Sequence, residues 1–116
     1  MPRAPLNLFA DLPVGATAES FQVLYETSAV RIERIASFGH ASPAGFWYDQ
    51  DRPEWVVLMR GGATIAFDDG TRRTLAAGDW LLIPAHCRHR VEHTSDDALW
   101  LAVHVGIDGP SATDVV

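Results

Sequence analysis

Residues Glu54 to His93 hold two turn-punctuated patterns at fixed spacing with a hairpin signal between them. Six residues separate Glu54 from Gly61; five separate Gly78 from Pro84, and His89 follows five positions later. Between the two patterns, Asp68, Asp69 and Gly70 form an Asp-Gly hairpin signal flanked by alternating runs. In EWVVLMR, Glu54, Val56 and Leu58 share one face and Trp55, Val57 and Met59 the other. Both faces are mostly apolar, so this strand is expected to be covered on both sides. The outward set would pack against a second sheet or form a seam between two copies of the chain.

The same period of two recurs outside this stretch. FQVLYE places Phe21, Val23 and Tyr25 on one face; VRIERIASF sets Val30 and Ile32 opposite Arg31 and Glu33. Ser37 to Gly45 reads as a loop, broken by Gly39, Pro43 and Gly45. In HRVEH, alternation points His89, Val91 and His93 one way; LWLAVHV, residues 99–105, is a last strand. Eight or nine short strands with little helical periodicity predict a β-sandwich or barrel. At 116 residues the chain has room for one core. We divide it into an arm over residues 1–20, a barrel over 21–105 and a flexible tail over 106–116. The arm, with Leu6, Leu8, Phe9 and Leu12 among its prolines, is expected to pack on the barrel or on a neighbouring subunit.

Charge narrows the partners. A net charge of −6, with arginines scattered among acids, argues against nucleic acid, whose binding rests on neutralising phosphates. The chain has no lysine, so Schiff-base chemistry through that side chain is excluded. No apolar run approaches the roughly 20 residues that cross a bilayer, and the N-terminus lacks the apolar core of a secretory signal. The single cysteine, Cys87, cannot form an internal disulfide, which suits a reducing compartment. These features predict a cytoplasmic protein that binds neither nucleic acid nor membrane.

The spacing of Gly39, Glu54, Gly61, Gly78, Pro84 and His89 resembles the two motifs of the cupin superfamily over roughly residues 20–105. The resemblance implies an all-β, double-stranded β-helix (jelly-roll) barrel that holds a metal or small ligand in its mouth. Where the family has a His-x-His pair this chain reads GFWYDQ: one register puts Trp47 and Asp49 there, the other Tyr48 and Gln50. His86 stands at a motif glycine and His93 at a motif asparagine. SPAGFWYDQ, EWVVL and IPAHCRHRV are similar to a subgroup of single-domain bacterial cupins, a likeness of fold that names no substrate.

His89 is where residue type and family ligand position coincide, and a neutral imidazole suits several transition metals. Glu54 lies on an apolar face, where an ionised carboxylate is costly unless paired or metal-bound. Asp49 is the substitute carboxylate from the first motif, and His86 the nearer second nitrogen. The leading expectation is a homodimeric cupin in which Asp49, Glu54, His86 and His89 hold one divalent ion (Zn, Mn, Fe or Ni) beside a small-molecule pocket. Such a site could serve a dioxygenase, isomerase, decarboxylase or lyase, with Glu54, Tyr48 or His93 moving protons. His93 lies ~13 Å along the strand from His89, too far to share one ion. His104 could face the pocket or the outside. Two other readings stand beside this one: a metal-free binding or sensing barrel, and a metal-free acid–base enzyme using Glu54 with His89 or His93.

Overall fold

The computed structural model describes residues 4–13 and 18–106, and among them every regular element is a strand. In chain order these are β1 (Ser20–Glu26), β2 (Val30–Ser37), β3 (Glu54–Arg60), β4 (Gly62–Phe67), β5 (Arg72–Ala76), β6 (Trp80–Ile83), β7 (His89–Thr94) and β8 (Ala98–Val105). They form two antiparallel sheets, one in the order β1-β2-β8-β3-β6 and one in the order β5-β4-β7. This is the jelly roll expected from the sequence.

Register in the larger sheet sets its inner face row by row. Arg31, His104, Glu54 and Ile83 are cross-strand neighbours along one row, and Glu33, Ala102, Val56 and Leu81 along the next. Ile35, Trp100 and Leu58 make the third. One edge of the inner face is therefore polar and ionisable, and it grades into the core. Leu58 and Ala102 are fully buried there, packed with Val56, Ile65, Leu75, Ile83 and Trp100 from both sheets. Burial of such side chains contributes about 1.5–3 kcal/mol each.

The turns follow their residue chemistry. At the β4–β5 hairpin Gly70 takes φ 90° and Asp69 Oδ1 accepts from the Thr71 amide at 2.9 Å. Gly61 joins β3 to β4 at φ 85°, and a Cβ there would meet Ser95 Oγ and come within 3.0 Å of the Ala98 Cα. His86, at the motif's glycine position, takes φ 59°, a left-handed turn that histidine tolerates better than most residues.

Two expectations need correction or limits. Alternation along β7 breaks at Glu92, because Ile65 pairs with Val91 while Thr64 pairs with His93. This β-bulge adds one residue and reverses the faces beyond it, so Thr94 is buried and His93 is exposed. Within the arm, Leu8 and Ala10 receive hydrogen bonds from Arg34 Nη1 at 2.9 and 2.8 Å, which ties it to β2. Apart from Gly106, the expected flexible tail lies outside the described residues.

Candidate functional site

Between the two sheets, at the polar edge of the inner face, lies a cavity of about 70 Å³. Its apolar wall includes Val56, Ile65, Ile83 and Trp100; Glu19, Glu33, Glu54, His89 and His104 supply its ionisable groups, with Tyr48 and Gln50 beside them. The larger sheet brings Glu33, Glu54 and His104, and the smaller sheet brings His89 from the start of β7.

Each group is fixed by a partner that its strand position provides. His89 is 4% exposed, and its Nδ1 lies 2.7 Å from the Cys87 carbonyl oxygen. A carbonyl only accepts, so Nδ1 carries the proton and, in the neutral ring, Nε2 turns a lone pair into the cavity. Tyr48 stacks on this ring at 5.4 Å between centroids, held by backbone hydrogen bonds in both directions between Tyr48 and His89. His104 Nε2 donates to Glu33 Oε1 at 2.8 Å. This bond, with the charges of His104 and Arg31, holds the Glu33 carboxyl below its ordinary range against the opposing effect of burial.

Glu54 stands between the two imidazoles. Its Oε1 is 3.9 Å from His89 Nε2 and its Oε2 is 3.9 Å from His104 Nε2, both beyond hydrogen-bond range. Burial is the main influence on it and raises its pKa, while the neighbouring histidines pull the other way. Burial likewise raises the Tyr48 phenol, helped by the carboxylates of Glu19, Glu54 and Glu33. The cavity thus joins a carboxyl of raised pKa, an imidazole Nε2 and a hydrogen-bonded carboxylate–imidazole pair.

The expected metal set is not brought together. Glu54 and His89 face the cavity, but Asp49 and His86 pair with each other outside it, Asp49 Oδ1 lying 2.8 Å from His86 Nδ1 with both side chains exposed. The first motif enters in the other register, with Tyr48 and Gln50 on the cavity side. Among the described residues no group of three or more His, Cys, Asp or Glu is arranged to hold a metal ion. The nearest substitute, His104, has its Nε2 committed to Glu33. The residues present therefore do not fit a bound ion. His93, expected to move protons, lies on the exposed face beyond the bulge and does not line the cavity.

Glu19, Glu33 and His104 are ionisable cavity groups that sequence reasoning did not assign. His104 carried a signal, as the one ionisable residue of the otherwise apolar ALWLAVHV; Glu33 sits in a strand that also holds Arg31 and Arg34 and carried none.

The pattern of the Cupin_2 family, a cupin domain, matches residues 39–104. Among solved structures, a candidate mannose-6-phosphate isomerase from Ralstonia eutropha JMP134 is similar at 50% identity and TM-score 0.84, with 90% of this chain and 99% of that one covered. A cupin superfamily protein from Desulfitobacterium hafniense DCB-2 shares the fold at 18% identity and TM-score 0.75, covering 91% and 94% of the two chains. An RmlC-like cupin from Desulfovibrio desulfuricans does so at 15% identity and TM-score 0.72, covering 90% and 97%. No curated protein matches the sequence.

Proposed function

From the premise that the chain belongs to the cupin family, as the match over residues 39–104 shows, we propose that it binds a small molecule between its sheets and moves a proton on it, as an isomerase does. The observation that carries this reading is Glu54, a buried carboxyl with raised proton affinity set 3.9 Å from Nε2 of His89, whose Nδ1 is held by the Cys87 carbonyl. Together they offer a general acid and a general base to one bound molecule.

On a hydroxy-carbonyl compound the steps balance as follows. His89 Nε2 takes the proton from the carbon bearing the hydroxyl, while Glu54 protonates the carbonyl oxygen to give an enediol. The Glu54 carboxylate then takes the proton from the original hydroxyl, whose carbon becomes the new carbonyl, as the His89 imidazolium gives its own to the former carbonyl carbon. Both groups end as they began. The Glu33–His104 pair beside Glu54 supplies fixed charge to the site.

An isomerase activity is what the name of the Ralstonia eutropha relative carries, and the 50% identity over nearly the whole of both chains supports a shared reaction type. Cupins often use a metal, but the Asp49 and His86 side chains stand outside the cavity. The proton transfer runs through side chains alone. A second copy of the chain belongs to the same reading, through the apolar outer face of β3.

The test is solvent exchange. Protein incubated in D₂O with a panel of aldoses and ketoses should place deuterium on the carbon next to the carbonyl, visible by proton NMR. His89→Ala and Glu54→Gln should each lower the rate by about 10²- to 10⁴-fold, the usual worth of one acid or base. Binding without exchange in the wild type would leave a non-catalytic binding barrel instead.

A further inference from the structure

The cavity is too small for a metabolite of ordinary size. Its 70 Å³ is about half the ~150 Å³ that a buried benzene needs. A second hollow of about 450 Å³ adjoins it, and Gln50 and His104 line both. Together the two fall within the roughly 300–1,000 Å³ usual for a ligand site. The connection follows from strand register: the row Arg31, His104, Glu54 delivers Arg31 to the outer hollow, Glu54 to the inner cavity and His104 to their boundary.

The outer hollow has a distinctive charge balance. The carboxylates of Glu26, Asp49 and Asp51 face the guanidiniums of Arg31 and Arg52. Arg31 lies 4.0 Å from Glu26 through Nη1 and 3.9 Å from Glu33 through Nε, and its buried Nε has no hydrogen-bond partner, so it can still donate to an acceptor oxygen. The acids outnumber the arginines three to two, with His86 set against Asp49; Glu33 adds another carboxylate beneath, and the whole chain carries −6. A dianion would enter against this field. A neutral molecule bearing several hydroxyls would not: carboxylate oxygens accept from hydroxyls and guanidinium N–H groups donate to them.

We propose that the molecule this site takes is an uncharged, hydroxyl-rich compound of sugar type, its carbonyl end in the inner cavity and its hydroxylated end in the outer hollow, and that phosphorylation of that end weakens binding. This rests on the proton-transfer reading for the orientation alone. The two can fail separately, because occupancy is read by binding and proton transfer by exchange.

The experiment is calorimetric or saturation-transfer binding of the full chain to free aldohexoses, ketohexoses and pentoses, including D-mannose, and to the 6-phosphate esters of the hexoses. At least one free sugar should bind, and its ester at least about tenfold more weakly. The gap should narrow in 0.5 M salt, which cuts the screening length to about 4 Å. It should also narrow in Asp51→Asn, whereas Gln50→Ala should weaken the free sugar itself. An ester that binds as tightly as its parent sugar or more tightly, with affinity lost in Arg52→Ala, would overturn the proposal. So would failure of every free sugar to bind.

Discussion

Nε2 of His89 faces Oε1 of Glu54 across 3.9 Å, although β7 and β3 lie in different sheets. The gap is too wide for a hydrogen bond and both groups are buried, so neither satisfies the other in the free protein. Polar groups held apart inside an apolar cavity lower stability, and they are kept where chemistry uses them.

That arrangement fixes a pH dependence. The Glu54 pKa is higher in the folded protein than in the unfolded chain, so the unfolded state ionises first as pH rises and folding loses stability from that point up to the folded pKa. Glu54→Gln removes this loss. The variant should melt above the wild type at pH 8, and the difference should close as pH falls toward 4. A difference that is independent of pH would contradict burial of an ionisable carboxyl as its cause.

Glu33 has the opposite sign. Its folded pKa lies below the unfolded value because His104 donates to it, so its contribution is present above the unfolded pKa and lost as pH falls through the folded one. Glu33→Gln should therefore destabilise at pH 7 and have little effect in strong acid. His104→Ala should do the same, and the double variant should cost less than the sum of the two, since both remove one interaction. Chemical denaturation at the two pH values measures this.

His93 and His104 test the bulge. His93→Ala, on the exposed side, should leave stability within about 0.5 kcal/mol and leave ligand binding unchanged. His104→Ala should impair both. Equal effects would mean that alternation runs unbroken through β7.

The core carries the largest single costs. Leu58 is completely buried, and Leu58→Ala should lower stability by about 2–5 kcal/mol. Gly61→Ala combines a left-handed φ with a Cβ against the Ala98 backbone, and should be comparably disruptive. Denaturation midpoints check both.

Trp55 and Trp80 lie 5.8 Å apart on the outer face of the larger sheet, with Trp80 55% exposed. An apolar face of this kind suits a second copy. Light scattering at micromolar concentration should give twice the 12.7 kDa chain mass, and Trp80→Arg should return it to one. A monomer throughout would rule out the dimer.

Much of the fold is legible because a period of two and its turn residues are local signals. EWVVLMR, the Asp69-Gly70 turn and LWLAVHV each occupy the elements expected of them. The resemblance of their spacing to the cupin motifs locates Glu54 and His89. Asp49 falls on the other side of its segment from the one expected because a loop carries no period to set its register, and the Tyr48–His89 bridge fixes it instead. His93 escapes its expected place because a one-residue bulge leaves no local mark yet reverses every side chain after it. Glu33 and His104 lie 71 residues apart and meet only through the β2–β8 pairing, which alternation within either strand cannot reveal.

The most direct measurement is a ¹³C NMR titration of protein labelled at the glutamate side-chain carboxyls, wild type against Glu54→Gln, with His89→Ala as a third sample. One resonance, missing from Glu54→Gln, should titrate above the exposed glutamates, and its midpoint should rise further in His89→Ala because the neighbour that pulls it down is gone. If the Glu54 resonance titrated with the exposed carboxylates and ignored the loss of His89, the proton-transfer pair of Glu54 and His89 would not exist.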